Sequence, residues 1–440
     1  SFKTFTLKQV IFSSFPIRKS LKNMMSTKTT PLPLLANTPV HARLELFAKK
    51  MHFCCHTFNF EKVNIELKEK ELKRIYLTEI IHFMEESKGI LIEPIYAISF
   101  AMFCRNVFRS LPPKNPDYDP DEDDPISDPA WPHLQLVYSF IVRVLESPDF
   151  QPSEAKQFID HKFVEHLIEM FSSDDINERE CLKTVLHRIY GKFLGLRSYI
   201  RGEVNNKFLE VIYEDLSFPG ATEILEVMGS IINGYACPLK HEHIHFLFSV
   251  LLPLHTSSKL QQFQAQLVYC VVQYLEKDPS LTEKFTKRFL KLWPKTVTSK
   301  EVMFLGELEE IIDVMQPAEF LKVQEDIFLR LAKCIKCEHF QVAERALYFW
   351  DNEYIVSLIE VSAAQILPLV LSSLISVSNH HWNKTITSLA ANILKNFMSG
   401  NQKFFTKMVM TMKSKKQSEK ERAERSKELW RSLEEQAAMN

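Results

Sequence analysis

Glycine is scarce in this chain, with 9 in 440 residues where average usage is roughly 7%. Sheet proteins and nucleotide-binding α/β folds use glycine in tight turns, bulges and phosphate loops, so the shortage argues against both. No GxGxxG or GxxxxGK[ST] occurs, which removes the glycine-rich phosphate cradle. A charge excess is also missing. Lys+Arg 54 against Asp+Glu 55 gives a net charge of −1, and no global footprint for nucleic acid or an acidic membrane results. No apolar run reaches the roughly 18 residues of a membrane span. The 8 cysteines are scattered, mostly inside apolar stretches such as Leu267-Val268-Tyr269-Cys270-Val271-Val272, where a thiol acts as a small hydrophobe. Without a disulfide framework, a reducing compartment, cytoplasmic or nuclear, is expected.

What is present is helical patterning, with apolar residues recurring at i, i+3, i+4 and i+7. Long helices are expected near 95–109, 133–146, 177–199, 221–236, 262–276, 301–315, 341–357 and 383–399. Shorter ones fall near 155–172, 204–214, 241–252, 280–293, 318–335 and 363–375. The centres of the long set step by about forty residues, the HEAT/armadillo period. Phe218-Pro219-Gly220, Cys237-Pro238, Asp278-Pro279, Trp293-Pro294 and Gln316-Pro317 punctuate the steps. The expected fold is an all-α, HEAT/armadillo-like superhelical solenoid of about eight helix pairs, each pair sharing a core with its neighbours. A globular bundle would not keep the step. Solenoids present long binding surfaces, so the first function class is an interaction protein, by analogy of fold.

Three regions follow from composition. Residues 1–40 form a basic arm: Lys3, Lys8, Arg18, Lys19, Lys22 and Lys28 precede the first acidic residue, Glu45. It reads as a disordered arm, as a transit-type composition, or as residues ahead of a start at Met24 or Met25. The solenoid covers 41–412. From 413 to 440 a charge-dense segment reads as a solvated helix or tail, with Leu429, Trp430 and Leu433 on one side. Lys413, Lys415 and Lys416 are a weak nuclear-import patch.

Catalytic and metal chemistry find little support. His241-Glu242-His243-Ile244-His245 is the densest histidine cluster; His241 and His245 are one helical turn apart, but no third ligand follows in sequence, and a polar helix surface is the plainer reading. Cys334-Ile335-Lys336-Cys337 is a CxxC with neither a second CxxC nor a βαβ context. No serine sits in a nucleophile elbow. No cofactor and no metal are expected.

Two segments ask for more. Asp117-Tyr118-Asp119-Pro120-Asp121-Glu122-Asp123-Asp124-Pro125 concentrates carboxylates between prolines, either as a solvated loop or as an acidic finger toward a basic or metal-containing partner surface. In 186–201, LHRIYGKFLGLRSYIR, Tyr190 and Arg197 lie seven apart, expected on one helix face, with His187 one turn before Tyr190. One repeat step on, Val227 and Ile231 make an apolar i, i+4 pair, and Lys240 and His243 add positive charge at that helix's end. The two helices are expected to flank a groove for an acidic peptide. The alternative is ordinary core beneath ordinary surface cations.

LHRIYGKFLGLRSYIR, GSIINGYACPLK, DPAWPHLQLVY, LESPDFQP, WPKTVTSKEVMFLGELEEIIDV and HFQVAERALYFWDNEYI resemble the B-prime (B56-type) family of protein phosphatase 2A regulatory subunits, from about Leu44 to the charged C-terminal helix. The resemblance implies a non-catalytic solenoid that docks on the phosphatase scaffold and catalytic subunits and supplies substrate choice. It implies that the groove accepts LxxIxE motifs. The motif isoleucine would lie against Tyr190, Val227 and Ile231, and the motif glutamate near His187 and Arg188. Arg197, Lys240 and His243 would favour phosphoserine or acidic residues. It implies that the acidic loop with Asp121, Glu122, Asp123 and Asp124 approaches the catalytic subunit's active site. Val227 replaces a usual isoleucine, one methylene worth about 0.8 kcal/mol at most. Asn59, Ala97 and Ser139 replace a usual aspartate, proline and glutamate. The competing readings are another HEAT-type adaptor, such as a nuclear transport carrier, and an all-α enzyme with an unrecognised site.

Overall fold

The computed structural model describes residues 31–60, 62, 64–113, 124–214, 217–400 and 402–439. Among the described residues all regular structure is helical. The chain divides into two compact units, Ser1–Glu203 and Val204–Asn440.

The first unit holds α1 (Val40–Cys54), α2 (Leu67–Glu86), α3 (Glu93–Val107), α4 (Trp131–Glu146), α5 (His161–Glu169) and α6 (Ile176–Lys192). Pro94 and Pro132 open α3 and α4, where a missing N–H is harmless. Asp160 and Asp175 cap α5 and α6 by accepting from Phe163 N at 2.9 Å and Asn177 N at 2.8 Å. On α4, Leu134, Val137, Tyr138, Ile141, Val144 and Leu145 are buried at helical spacing. That face lets α4 pack against α2, α3 and α6. Ahead of α1, Leu32 N donates to Tyr76 Oη at 2.6 Å and Leu35 N to Glu79 Oε1 at 2.5 Å, fixing the proline-rich lead-in to α2. Helices α1 and α2 fall outside the expected set; in α2 the many lysines and glutamates dilute the apolar period.

Helix α7 (Arg197–Tyr213) crosses the unit boundary. The second unit continues with α8 (Ala221–Asn233), α9 (His241–Phe246), α10 (Leu260–Lys277), α11 (Thr282–Phe289), α12 (Thr298–Asp313) and α13 (Pro317–Ile335). Then come α14 (Phe340–Leu347), α15 (Glu353–Val361), α16 (Ala363–His380), α17 (Lys384–Gly400) and α18 (Gln402–Met439). One layer runs α8, α10, α12, α14, α17, each packed on the next; α11, α13 and α16 form the other. Side chains bond across this stack at a nearly constant separation: Thr222 Oγ1 to Gln262 O (3.0 Å, 40 residues apart), Lys277 Nζ to Tyr235 O (3.1 Å, 42) and Tyr354 Oη to Met315 O (2.6 Å, 39). Gly229 sits where α8 meets α10; a Cβ there would lie 2.7 Å from Tyr269 Cε1. The bare backbone is what permits this approach. The unit is a length of all-α solenoid.

Boundaries differ in four places, one being the helix expected over 241–252, whose α-helical part ends at Phe246 and gives way to a π-helical turn over Leu247–Leu251. The helix expected over 177–199 breaks at Phe193 (φ −107°, ψ 82°) and resumes at Arg197. The one over 341–357 breaks before Asn352, whose side chain caps α15 by accepting from Tyr354 N and Ile355 N. The segment 155–172 is a short turn, α5 and a 3-10 end. Among the described residues no single helix is long and apolar enough to cross a membrane.

Candidate peptide-binding site

Helix α6 ends because Gly191 and Gly195 lower helix propensity around Phe193, which turns into the core at 6% exposure. Its last carbonyls would then lack partners. Arg197, at the start of α7, fills this need: Nε donates to Tyr190 O at 3.0 Å and Nη2 to Gly191 O at 3.3 Å. A cation at a helix C-terminus also complements the helix dipole. The same guanidinium lies over the Tyr190 ring, 5.1 Å from its centroid. Arg201, one turn along α7, donates from Nη1 to Tyr190 Oη at 3.0 Å. Tyr190 and Arg197 thus meet across a chain reversal rather than along one helix face. The half-buried ring is held at its face and at its hydroxyl by two cations.

His187 and Arg188 project from the exposed side of α6. Arg188 Nη2 pairs with Glu146 Oε1 of α4 at 2.8 Å, with both side chains partly solvated. Burial, then the Arg188 charge, pushes His187 below the usual imidazole range. At neutral pH it is therefore a neutral N–H donor and not a cation.

In the second unit, Val227 and Ile231 share a face of α8 but are 4% and 6% exposed. Lys240 is exposed as the residue before α9. His243 departs from the sequence expectation of a surface charge. It is 7% exposed, stacked flat on Tyr235 at 3.6 Å between centroids and 2° between planes, with Nε2 3.3 Å from Glu242 Oε1. Both residues open α9 instead of closing α8. The Tyr235–His243 stack, joined by a bend of the chain, left no periodic signal in sequence.

Asp121, Glu122 and Asp123 lie outside the described residues; Asp124 is exposed and in irregular chain. The flanks of this segment are tied together. Arg109 donates from Nη2 to Asp128 Oδ2 at 2.6 Å and from Nη1 and Nη2 to Glu178 at 2.7 and 2.9 Å. Glu178, fully buried, also accepts from Tyr138 Oη at 3.0 Å and Ser173 Oγ at 2.6 Å. The side chains of Lys413, Lys415, Lys416 and Leu433 fall outside what the structure describes.

His241, Glu242 and His245 have the His-Glu-x-x-His order in which zinc hydrolases hold their metal. Here they occupy a six-residue helix, Glu242 faces His243, and His245 Nε2 lies 3.3 Å from Ser249 Oγ. Among the described residues no group of three or more His, Cys, Asp or Glu is placed to hold a metal ion. Cys334 is buried and its thiol is pushed up to about 12, the opposite of an activated nucleophile. Burial pushes Lys73 down to about 8, yet its ammonium donates to His56 O at 2.7 Å and Asn106 Oδ1 at 2.6 Å inside the core. That lysine is structural.

Comparison with known proteins places the chain. The family model of the protein phosphatase 2A regulatory B subunit (B56 family) matches residues 32–437. The human 56 kDa regulatory subunit alpha isoform of serine/threonine-protein phosphatase 2A is 52% identical over 406 residues, covering 92% of this chain and 84% of that protein. The rat beta isoform is 54% identical over 407 residues, covering 92% and 82%. The human delta isoform is 52% identical over 414 residues, covering 93% and 69%. The chain belongs to the B56 family of protein phosphatase 2A regulatory B subunits. It is a regulator of a serine/threonine phosphatase and carries no catalytic role itself. The family match, not the helical stack, decides against a nuclear transport carrier.

Proposed function

We propose that this subunit docks on the scaffold and catalytic subunits of protein phosphatase 2A, in cytoplasm or nucleus, and recruits substrates bearing LxxIxE-type acidic or phosphorylated motifs. The observation that carries the reading is Tyr190, clamped by Arg197 and Arg201 with Arg188 and His187 on the adjoining turn of α6. A rigid aromatic anchor among cations suits an acidic peptide, because ordering costs are already met and charge-assisted hydrogen bonds are available. In this reading Tyr190 supports the motif isoleucine, and Val227 and Ile231, buried on α8, are the further apolar residues that the family resemblance implies. Neutral His187 donates an N–H and Arg188 a charge to the motif glutamate. Arg197, Lys240 and the buried His243 favour phosphoserine or acidic residues. The acidic segment containing Asp121, Glu122, Asp123 and Asp124 faces the catalytic subunit.

Calorimetry with an LxxIxE peptide should give micromolar affinity, weakened by Arg197→Ala and abolished by His187→Ala with Tyr190→Ala. Unchanged affinity in that double variant overturns the site. Glu146 competes with the peptide for Arg188, so Glu146→Gln should tighten binding about two- to threefold, the scale of an exposed ion pair; weaker binding would show that Arg188 needs Glu146 for its position. Docking is tested by co-purification, in which absence of the scaffold and catalytic subunits counts against it.

A further inference from the structure

Helices α11 and α13 pack side by side in the second unit and leave a half-enclosed cavity of about 330 Å³ between them. Leu290 and Leu329 make its apolar lining; Lys287 and Lys291 come from the α11 side, Arg330 and Lys333 from α13. Its charges are unevenly engaged. At one end Lys287 is paired with Glu283 at 2.8 Å and also feels Asp326, which lines the cavity. At the other end Lys291, Arg330 and Lys333 make no ion pair with a carboxylate among the described residues. Arg330 is nonetheless fixed. Its guanidinium lies 5.3 Å over the Trp293 ring and Nη2 donates to Leu290 O at 3.4 Å. The remaining guanidinium donors are thereby preorganised beside two ammonium groups.

We propose that this cavity binds the phosphate of a phosphorylated serine or threonine within a peptide segment of a partner protein. Three cations unengaged by carboxylates suit a dianion better than a single carboxylate, and a phosphate offers acceptor oxygens to all three. The apolar lining of Leu290 and Leu329 takes the neighbouring side chain of the peptide. The same features disfavour a nucleic acid. Asp326 adds negative charge to the cavity lining, and the chain as a whole carries net charge −1. None of these residues belongs to the Tyr190 site, so the proposal stands apart from the LxxIxE reading.

The test uses the full chain and two fluorescein-labelled peptides, Gly-Leu-pSer-Glu-Leu-Gly and its unphosphorylated twin, read by anisotropy. The phosphopeptide should bind about tenfold tighter than the twin, the expected scale for a charge-assisted phosphate contact. Lys291→Glu with Lys333→Glu should erase that preference while leaving the helical circular dichroism and the urea midpoint unchanged, which shows that the variant is folded. Equal affinity for the two peptides, or a preference that survives the double substitution, overturns the proposal. A preference lost instead in Arg197→Ala moves the phosphate to the Tyr190 site. A short DNA duplex that binds the same lysines more tightly than the phosphopeptide overturns the choice of ligand.

Discussion

Replacing Arg109 by alanine should lower the unfolding free energy by about 3–5 kcal/mol, because it leaves a buried carboxylate without its cation. Glu178 has no exposure and receives both guanidinium nitrogens of Arg109 together with the hydroxyls of Tyr138 and Ser173. Taking away the charge partner leaves two neutral donors to hold an ion away from water. Urea unfolding checks the magnitude, and a second substitution checks the cause. Arg109→Ala with Glu178→Gln should recover part of the loss, since a neutral amide tolerates burial among hydroxyls. If the double variant is no more stable than Arg109→Ala, the unpaired charge is not the reason. Arg109 also bonds Asp128, so the substitution unties the two flanks of the acidic segment.

The buried pair of His255 and Glu307 should give stability a distinctive pH dependence. His255 Nε2 meets Glu307 Oε1 at 2.8 Å and Nδ1 meets Leu252 O at 2.8 Å. With Glu307 ionised both partners are acceptors, and the doubly protonated ring satisfies both. Burial alone would push His255 down, but the charge and hydrogen bond of Glu307 with the carbonyls of Leu252 and Leu251 hold it above the usual imidazole value. A pKa raised on folding contributes stability that is fully present below the unfolded value of about 6.5 and is lost as pH rises through the folded value. In Glu307→Gln the burial cost prevails and the folded pKa falls below the unfolded one. This pair's contribution is then lost as pH falls, and its slope reverses between about pH 5 and 8. At pH 6 the variant should be less stable by about 2–3 kcal/mol. Urea midpoints of both proteins across that range decide the matter: parallel curves would mean that His255 is neutral in the native protein.

Much of the site was legible as a set of residues and little of it as an arrangement. Tyr190 and Arg197 were readable as partners, but through a seven-residue helical spacing that the break at Phe193 removes; Gly191 and Gly195 were the available sign of that break. Arg188 read as a cation for a ligand, whereas its engagement by Glu146 spans two helices and 42 positions, a pairing no local pattern records. His243 read as surface charge because its neighbours in sequence are polar, and only the bend after Asn233 brings it flat against Tyr235.

By itself the sequence determined the all-α class, because helix periodicity, proline placement and the shortage of glycine are local properties that survive in one dimension. Its long motifs determined the family. The tertiary structure decided which charges are engaged. It joined Arg109 to Glu178 across 69 residues and His255 to Glu307 across 52, buried His243, and left Lys291, Arg330 and Lys333 beside a cavity without carboxylate partners among the described residues. Those outcomes depend on the distance and desolvation between separate helices, which amino-acid order along any one helix does not specify.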